Sequence, residues 1–446
     1  MKHSIFTLLI CIFISFSCFS QNKDKESKTR EKEIDKLLSK MTIKEMVGQL
    51  IMIGADTEVN KKYCEKILKD IDSNKVGGVC FFKGKSDNLP KLINKYNSVC
   101  KIPLLVSIDG EWSLSMRFTD LDPFPRAMAL GALDSNDYSL VYKKADIIGK
   151  QCRTLGIHIN FAPAIDINLN PANPVINTRS FGQNKWKVSL LSEQYIKGLQ
   201  DNDVMAVIKH FPGHGDTDLD SHLSLPTISH SKDFIDTVDL IPFKYNIEKG
   251  VWGAMIAHLN VPALNEHYTY PASINPDIIQ GYLVDELGFE GLIFTDAMNM
   301  KGLTNDYPDG RAQVLALKAG VDILLMPNNT DSAMNAILSA IENGELSKDL
   351  IKEKCRKVLN WKYKLGVMNP KYAPKPLSKK QKEEIGKHCE VIAPKILTLL
   401  ENKDNIIPIN KKDTNQIIFV NLDNKDYSYF LKQAKKYKEI IPYTFE

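Results

Sequence analysis

The sequence lacks three patterns, each of which would have assigned it to a large class of proteins. No Gly-x-Gly-x-x-Gly motif or Walker-type loop follows any apolar segment, which counts against nucleotide binding. No two cysteines have the Cys-x-x-Cys spacing of a zinc ribbon. The net charge is only +4 over 446 residues and the lysines are scattered, which argues against a nucleic-acid partner. What is left is an ordinary globular composition, with 43% hydrophobic and 25% charged residues.

The cysteines do not form a recognisable disulfide framework. Cys11 and Cys18 lie in an apolar N-terminal region, and the others are widely spaced, at Cys64, Cys80, Cys100, Cys152, Cys355 and Cys389. We therefore expect mainly buried free thiols, with one or two bridges as the alternative.

The N-terminus has the order of a secretory signal. Lys2 precedes an uncharged apolar run from Ser4 to Ser17, which is followed by small residues and then by the charged stretch 22–36. The run is too short to span a membrane comfortably. We predict a signal peptide at 1–20, a charged linker at 21–30 and an exported protein. That protein is either periplasmic or, if Ser17-Cys18 serves as a lipoprotein site, attached to the membrane through a lipid on Cys18.

Short apolar runs alternate with amphipathic helical stretches through most of the chain. Each run is rich in Val, Ile, Leu and Phe on both faces, as expected of parallel strands covered by helices. The runs are Gly48–Ile53, Gly77–Phe82, Leu104–Ile108, His158–Ala162, Val204–Ile208, Gly253–Ala257, Gly291–Phe294 and Asp322–Met326. Eight such units predict an α/β fold, a (β/α)₈ TIM-type barrel over residues 31–369.

The C-terminal part has a different pattern. Residues 370–378 form a proline-rich linker, and a helix from Lys379, a strand at Gln416–Asn421 and a helix at Tyr427–Lys438 follow. We predict that 379–446 is the start of a second α/β domain. We expect this domain to be incomplete, because a single β-α unit cannot bury its own apolar face.

Ionisable residues follow several of the predicted strands directly or closely. Asp109, Asp166, the pair Lys209-His210, His258 and Asp296 all lie at or just beyond a strand's carboxyl end. Barrel enzymes keep their chemistry at that end of the strands, so these residues are predicted to surround an active site.

The segment from Lys209 to His222 is the densest in ionisable side chains. It reads Lys-His-Phe-Pro-Gly-His-Gly-Asp-Thr-Asp-Leu-Asp-Ser-His. His210 and His214 have a metal-ligand spacing for a helix, but the proline and glycines between and beside them favour a loop. From composition alone the segment suits a metal site, acid–base chemistry or a structural loop.

The same segment resembles the signature of family 3 glycoside hydrolases, in the N-acetylhexosaminidase branch. The resemblance extends over nearly the whole chain. Phe294-Thr-Asp-Ala-Met298 is similar to the family's nucleophile strand, and Arg179-Ser-Phe-Gly182 to its arginine loop. Asp109 and Arg117 have the spacing of its third-strand substrate pair, and Ile396–Asn402 resembles the start of the second domain in longer members.

The resemblance implies a mechanism for this chain. Asp296 would be the nucleophile, His222 the proton donor, and Asp220 the carboxylate that orients the histidine and stabilises its charged form. Such a histidine spares the site a second anion beside Asp296.

The resemblance also implies a set of substrate-binding residues, with no metal and no organic cofactor. They would hold the sugar hydroxyls and the acetamido group, and they are Asp109, Arg117, Arg179, Lys209 and His210. His214 and Asp216 are ambiguous and could only shape the loop, and His258 could be an ordinary buried barrel residue. One departure from the family pattern is Trp112, which stands where the branch usually has glycine and could stack on a sugar face.

The predicted function is retaining hydrolysis of terminal β-N-acetylglucosamine from a cell-wall glycan of the peptidoglycan type. Phosphorolysis is a related possibility, since a histidine would not repel phosphate. One rival is a metal-dependent amidohydrolase barrel, although the first strand region, Gln49–Asp56, lacks the histidine pair which that class needs. The other rival is a non-catalytic protein that binds cell-wall glycans.

Overall fold

The computed structural model describes residues 27–217, 225–265, 267–308, 310–409, 416–422 and 426–444. The chain divides into two compact units, Met1–Ile396 and Leu397–Glu446. The predicted signal peptide at 1–20 lies outside the described residues. No helix within the described ranges combines the length and the apolar character needed to cross a bilayer.

The first unit contains one eight-stranded parallel sheet. Its strands are β1 Ile51–Ala55, β2 Gly78–Phe81, β3 Leu105–Ile108, β4 Ile159–Asn160, β5 Met205–Phe211, β6 Gly253–Ile256, β7 Leu292–Thr295 and β8 Leu324–Leu325. Hydrogen bonds join them in the order β7-β6-β5-β4-β3-β2-β1-β8. A bridge between Phe294 and Ile323 connects the two outer strands, so the sheet curls into a barrel. The predicted α/β barrel is confirmed.

The helices alternate with these strands. They are α1 27–38, α2 Ile43–Gly48, α3 Lys61–Asn74, α4 Leu89–Asn97, α5 Ala127–Leu130, α6 Ser139–Leu155, α7 Lys185–Gln200, α8 Lys232–Phe234, α9 Ile241–Glu248, α10 Lys301–Thr304, α11 Arg311–Ala319, α12 Thr330–Glu342, α13 Lys348–Lys364 and α14 Lys379–Ile396. Two π-helical segments, Ile235–Asp239 and Asp277–Glu286, precede α9 and β7. Single 3₁₀ turns occur at Ser86–Asn88, Leu114–Met116, Ser135–Asp137, Asn177–Arg179, Pro262–Leu264, Ala272–Ile274 and Lys403–Asn405.

The strands form where the predicted apolar runs lie because each is buried on both faces. All seven residues of β5 are buried, Lys209 and His210 among them. Inside the barrel the rings of Phe161 and Phe294 pack edge to face, with centroids 5.3 Å apart. Several strands are shorter than the predicted runs, whereas β1, β5 and β7 end later than theirs. β5 continues to Phe211 and so carries Lys209 and His210 within the sheet rather than after it.

Local signals in the sequence also set helix ends. Thr42 caps α2, where its hydroxyl accepts from the backbone N–H of Glu45 at 3.2 Å and the Glu45 carboxylate accepts from the N–H of Thr42 at 2.8 Å. This reciprocal pair satisfies two donors that the helix itself leaves unpaired.

All six cysteines in the described ranges are free, as expected. Cys64, Cys80, Cys152 and Cys355 are buried. Burial raises the pKa of Cys80 to about 12, so this thiol stays protonated.

Helix α14 belongs to the barrel unit. The side-chain amide of Gln151 on α6 donates to the carbonyl of Gln381 at 2.9 Å, and the His388 ring contacts the carbonyl of Leu140 at 2.9 Å. The boundary between the compact units therefore lies after Ile396, whereas the sequence prediction begins the second domain at Lys379. The difference arises because the Pro-rich stretch 370–378 is a connection within the first unit.

The second unit is a small β-α-β arrangement. Strand β9, Ile417–Asn421, pairs in parallel with β10, Ile440–Thr444, and helix α15, Ser428–Ala434, connects them along the chain. The strand and helix expected from the sequence are both present, and β10 is a further strand that the sequence analysis did not identify.

Candidate active site

The carboxyl ends of the strands bring ionisable side chains from four parts of the sheet to one end of the barrel. β3 leads into Asp109, the segment after β4 carries Asp166, and β5 carries Lys209 and His210. β7 leads into Asp296. Side chains that are 100 residues apart in the sequence, such as those of Asp109 and Lys209, are in direct contact here.

Lys209 lies at the centre of this group. Its ammonium contacts a carboxylate oxygen of Asp109 at 2.6 Å and one of Glu111 at 2.7 Å, and only 2% of the side chain is exposed. Burial by itself would lower the pKa of Lys209, but the two carboxylates more than offset this and raise it. The lysine is therefore a fixed cation.

Asp109 and Arg117 form the expected third-strand pair. The Arg117 guanidinium donates to the second carboxylate oxygen of Asp109 and, through Nε, to the backbone carbonyl of Asp109 at 2.9 Å. The guanidinium also lies over the ring of Phe82, 4.6 Å from its centroid. Asp109 is thus held between two cations, with its carboxylate partly exposed.

Glu111 is a member of the site that the sequence analysis did not identify. Its carboxylate accepts from Arg179 at 2.7 Å and 3.0 Å, in addition to its contact with Lys209. Burial alone would raise the pKa of Glu111, but Arg179 and Lys209 outweigh it and hold the pKa well below its usual range. The sequence could have indicated Glu111, because it lies two residues after Asp109, and side chains with that spacing lie on one face of an extended chain.

The contacts of His210 fix its tautomer. Nε2 lies 3.1 Å from Nη2 of Arg179, and Nδ1 lies 2.8 Å from a carboxylate oxygen of Asp166. A guanidinium can only donate, so Nε2 accepts and the proton is on Nδ1, which donates to Asp166. The peptide bond between Lys209 and His210 is cis.

Asp166 is fully buried and anchors the segment after β5. It accepts from the backbone N–H of His214 at 2.7 Å and from that of His210 at 3.1 Å. Burial would raise the pKa of Asp166, but the contacts with His210 and His214 more than offset this and lower it. The sequence analysis placed this aspartate near a strand end without giving it a role.

His214 has the contacts of a residue that shapes the loop. Its Nδ1 lies 2.8 Å from the hydroxyl of Thr217, and its carbonyl accepts from the side chain of Asn173 at 2.8 Å. Burial, together with neighbouring His210, lowers the pKa of His214 to about 4, so the ring is neutral. Gly215 is required by close packing, because a Cβ at that position would lie 1.7 Å from the carbonyl oxygen of Ile167.

Asp296 is held by its own backbone. Its N–H donates to the carbonyl of Ile256 on β6 at 2.9 Å, and one carboxylate oxygen accepts from the N–H of Ala297 at 2.7 Å. Within the described part of the chain, that amide is the carboxylate's sole hydrogen-bond donor. Burial would raise the pKa of Asp296, but nearby His210 and His258 outweigh it and lower the pKa, so the carboxylate is ionised.

His258 fixes the turn that carries Asp296. The ring is fully buried, with Nε2 3.1 Å from the carbonyl of Ala297 and Nδ1 2.6 Å from the hydroxyl of Ser273. Since a carbonyl can only accept, Nε2 carries a proton and donates it to the Ala297 carbonyl. His258 therefore acts on the position of Asp296 through the neighbouring residue.

One face of the Trp112 indole is covered by a neighbouring side chain. The guanidinium of Arg126 covers one face, 4.2 Å from the centroid of the indole, and itself donates to the Thr178 hydroxyl at 3.2 Å. Only the opposite face of the indole could stack on a sugar ring.

The structure thus brings all five predicted substrate-binding residues into one connected network, to which it adds Glu111 and Asp166. The predicted acid–base pair, Asp220 and His222, lies outside the described residues. Among the residues that the structure describes, no three His, Cys, Asp or Glu side chains are arranged to hold a metal ion. The guanidinium at 3.1 Å from Nε2 of His210 would also repel a cation there.

This arrangement defines a class of protein. Asp296, ionised and partly exposed, lies at a strand end of a (β/α)₈ barrel, beside charged donors in fixed positions. Such a site is that of a barrel enzyme suited to a polyhydroxylated substrate such as a sugar. The model of the glycosyl hydrolase family 3 N-terminal domain matches residues 42–361. The chain belongs to glycoside hydrolase family 3.

Individual relatives agree with the branch that the sequence motifs indicated. A beta-hexosaminidase A of Pseudoalteromonas piscicida is 30% identical over 391 residues, which are 80% of this chain and 64% of the relative. A beta-hexosaminidase of Nitrosospira multiformis is 32% identical over 267 residues, 58% of this chain and 75% of that protein. This chain spans just under two thirds of the Pseudoalteromonas protein.

A solved structure supports the same resemblance. A family 3 beta-N-acetylglucosaminidase from Paenibacillus sp. is 31% identical, with a TM-score of 0.77, over 91% of this chain and 80% of that one. The resemblance to the N-acetylhexosaminidase branch of family 3 is confirmed.

The buried position of Lys209 generates a stability prediction. Lys209→Met removes the cation that the buried Glu111 shares with the partly exposed Asp109, so we expect a loss of about 3–5 kcal/mol in the free energy of unfolding at neutral pH. Without Lys209 the pKa of Glu111 rises in the folded state, so protonation at lower pH should reduce the loss. Urea denaturation of the full chain at pH 5 and pH 8 measures both effects.

The matched control is Lys197→Met. Lys197 contacts Asp201 at 2.6 Å, but its side chain is 59% exposed, so we expect a change of about 0–1 kcal/mol. Equal losses for the two variants would contradict the central role of Lys209.

Proposed function

We propose that this chain is a retaining exo-β-N-acetylglucosaminidase that removes terminal β-linked N-acetylglucosamine from cell-wall glycans of the peptidoglycan type. The observation that carries the proposal is the ionised Asp296 at the end of β7, next to the charged network around Lys209. The names of the relatives support an N-acetylated substrate, and the predicted export of the protein supports a cell-wall glycan.

The charged network would hold the sugar. Asp109 supplies a partly exposed acceptor, and Arg117, Arg179 and Lys209 are cations whose positions are fixed by the carboxylates of Asp109 and Glu111. Polyol substrates need many directed hydrogen bonds, and donors held by ion pairs lose little freedom when they bind. His210 presents a neutral ring that is held on both nitrogens.

Asp296 would attack the anomeric carbon. Its backbone is fixed by Ile256, and one carboxylate oxygen is oriented by the amide of Ala297, which leaves lone pairs for a bond to carbon. A covalent glycosyl-enzyme forms as the bond to the leaving oxygen breaks, and water then releases the sugar.

His222 would donate the proton to the leaving oxygen and later remove one from the attacking water. Asp220 would stabilise the charged ring. This assignment comes from the sequence signature. It is chemically consistent with the site, because a second carboxylate near Asp296 would raise the pKa of the nucleophile.

We further propose that the protein is exported through the signal at 1–20 and acts in the periplasm or on the membrane, where a lipid on Cys18 would attach it. The substrate class is compatible with this location, since a cell-wall glycan lies outside the cytoplasm.

Aryl glycosides that differ only at C2 test the substrate class. The 4-nitrophenyl β-N-acetylglucosaminide should be hydrolysed with a kcat/KM at least about 10²-fold above that of the β-glucoside, because a site built for the acetamido group leaves polar partners unpaired without it. The product should be the free sugar, with a rate independent of added phosphate. A preference for the glucoside, or a phosphate-dependent release of sugar 1-phosphate, would replace the proposal.

The nucleophile is tested by Asp296→Asn. The amide keeps the shape and removes the attacking charge, so kcat should fall by several orders of magnitude with little change in the folded state. A slowed 2-fluoro substrate should label Asp296 of the wild-type enzyme, as read by peptide mass spectrometry. The exposed Asp285→Asn variant is the control and should keep full activity; labelling of a different carboxylate would move the nucleophile.

The proton donor is tested by His222→Ala across a series of leaving groups. A sugar alkoxide needs protonation and dinitrophenolate barely does, so the variant should lose about 10²–10⁴-fold on a disaccharide and far less on the dinitrophenyl substrate. His210→Ala is the comparison, since loss of a binding residue should weaken all substrates alike. Equal losses for His222→Ala across the series would remove the acid role.

A further inference from the structure

A second cluster of titratable side chains lies outside the substrate network. It consists of Asp216, His230 and Asp239, which we call the His230 clamp. Nε2 of His230 lies 2.8 Å from a carboxylate oxygen of Asp216, and Nδ1 lies 2.7 Å from one of Asp239. Neither carboxylate can donate when ionised, so a ring that bonds to both needs a proton on each nitrogen.

The surroundings favour that charged ring. The His230 side chain is 17% exposed, and the ring of Phe234 packs beside it with centroids 4.3 Å apart. Burial would lower the pKa of His230, but the two carboxylates more than offset this and raise it. Burial raises the pKa of Asp239 to about 6, so above that pH the ring has a carboxylate on each of its edges.

The clamp lies across the two ends of the segment 218–224, which carries Asp220 and His222. On the incoming side, Asp216 follows Gly215, which packs against the backbone of Ile167. On the outgoing side, the N–H of Ile228 donates to the carbonyl of Asn260 at 2.9 Å. Each side is thus fastened to a different part of the barrel.

His230 joins those two sides to each other. Asp216 belongs to the incoming side, whereas Asp239 ends the π-helical segment Ile235–Asp239 on the outgoing side. Because both hydrogen bonds involve charged partners, the link is stronger than a neutral one.

We propose that His230 is a positioning residue for the proton donor. Its imidazolium ties Asp216 to Asp239 and so sets the distance between the ends of the segment that carries His222. The inference rests on the proposed function, in which His222 protonates the leaving oxygen. A displacement of about 1 Å at a reacting group can cost about 10²-fold in rate, so a residue that acts only through the segment's ends can still govern proton transfer.

The test uses His230→Gln in the full chain. Glutamine cannot serve as a cation between two carboxylates, so kcat on a disaccharide should fall by about 10- to 10²-fold with KM nearly unchanged. The loss on the dinitrophenyl glycoside should be much smaller, because that leaving group barely needs a proton. A residue that only stabilises the fold would not produce this dependence on the leaving group.

A second variant approaches the clamp from the other side. Asp216→Asn removes one charged partner at a position that is 37% exposed, where the fold should tolerate the change. Asp216→Asn should show the same dependence on the leaving group as His230→Gln. In both variants, backbone hydrogen exchange should increase in peptides that cover residues 213–229.

The matched control is His267→Gln. His267 also contacts an aspartate, with Nδ1 3.0 Å from a carboxylate oxygen of Asp277, but its side chain is 73% exposed and the pair lies outside the clamp. Its activity and hydrogen exchange should match those of the wild type.

The outcomes separate this inference from the proposed function. If His222→Ala shows the dependence on the leaving group but His230→Gln and Asp216→Asn lose equally on all substrates, the positioning role is overturned and the proposed function stands. If His222→Ala shows no such dependence, the acid role fails first and the positioning role falls with it.

Discussion

The buried ammonium of Lys209 is the interaction on which the rest of the site depends. It lies between the carboxylates of Asp109 and Glu111, at 2.6 Å and 2.7 Å, in a place that is almost closed to water. Either carboxylate alone would be expensive to bury, and together they would repel each other. The lysine allows both to remain ionised. Each can then hold an arginine, Arg117 in one case and Arg179 in the other, at a fixed position beside the pocket.

The same alternation of charge continues to the neighbouring strands. Arg179 contacts Glu111 and His210, and His210 contacts Asp166, so anions and donors follow one another across the end of the barrel. Because the guanidinium supplies the hydrogen to Nε2, the ring of His210 remains neutral and its orientation is fixed on both edges. Burial would raise the pKa of Asp296, but the polar groups around it, among them the His210 and His258 rings, the Ala297 amide and the Lys209 ammonium, lower it. The placement of opposite charges thus fixes the positions of the described side chains in the network.

Two histidines outside this network have different roles, although each has a hydrogen-bond partner on both ring nitrogens. His258 donates from Nε2 to the Ala297 carbonyl and so fixes the backbone after Asp296. His230 faces a carboxylate on each side and is held as a cation. In the proposed mechanism the first acts on the nucleophile and the second on the proton donor, so the two halves of the reaction are positioned by separate hydrogen-bonded histidines.

The sequence by itself predicted the barrel and placed Asp109, Lys209 and His210 at one end of it, because apolar runs and the ionisable residues after them are local features and parallel strands bring their ends together. Arg117 and Arg179 followed only from the resemblance to family 3. The Thr42 cap was also predictable from the sequence, because it depends on neighbouring residues only. Tertiary structure alone decided the role of Glu111, whose partner Arg179 is 68 residues away, and the protonation of His210. It likewise decided that the helix from Lys379 packs on the barrel. These features depend on burial and on which charges meet after folding, and neither quantity is a property of a short stretch of chain.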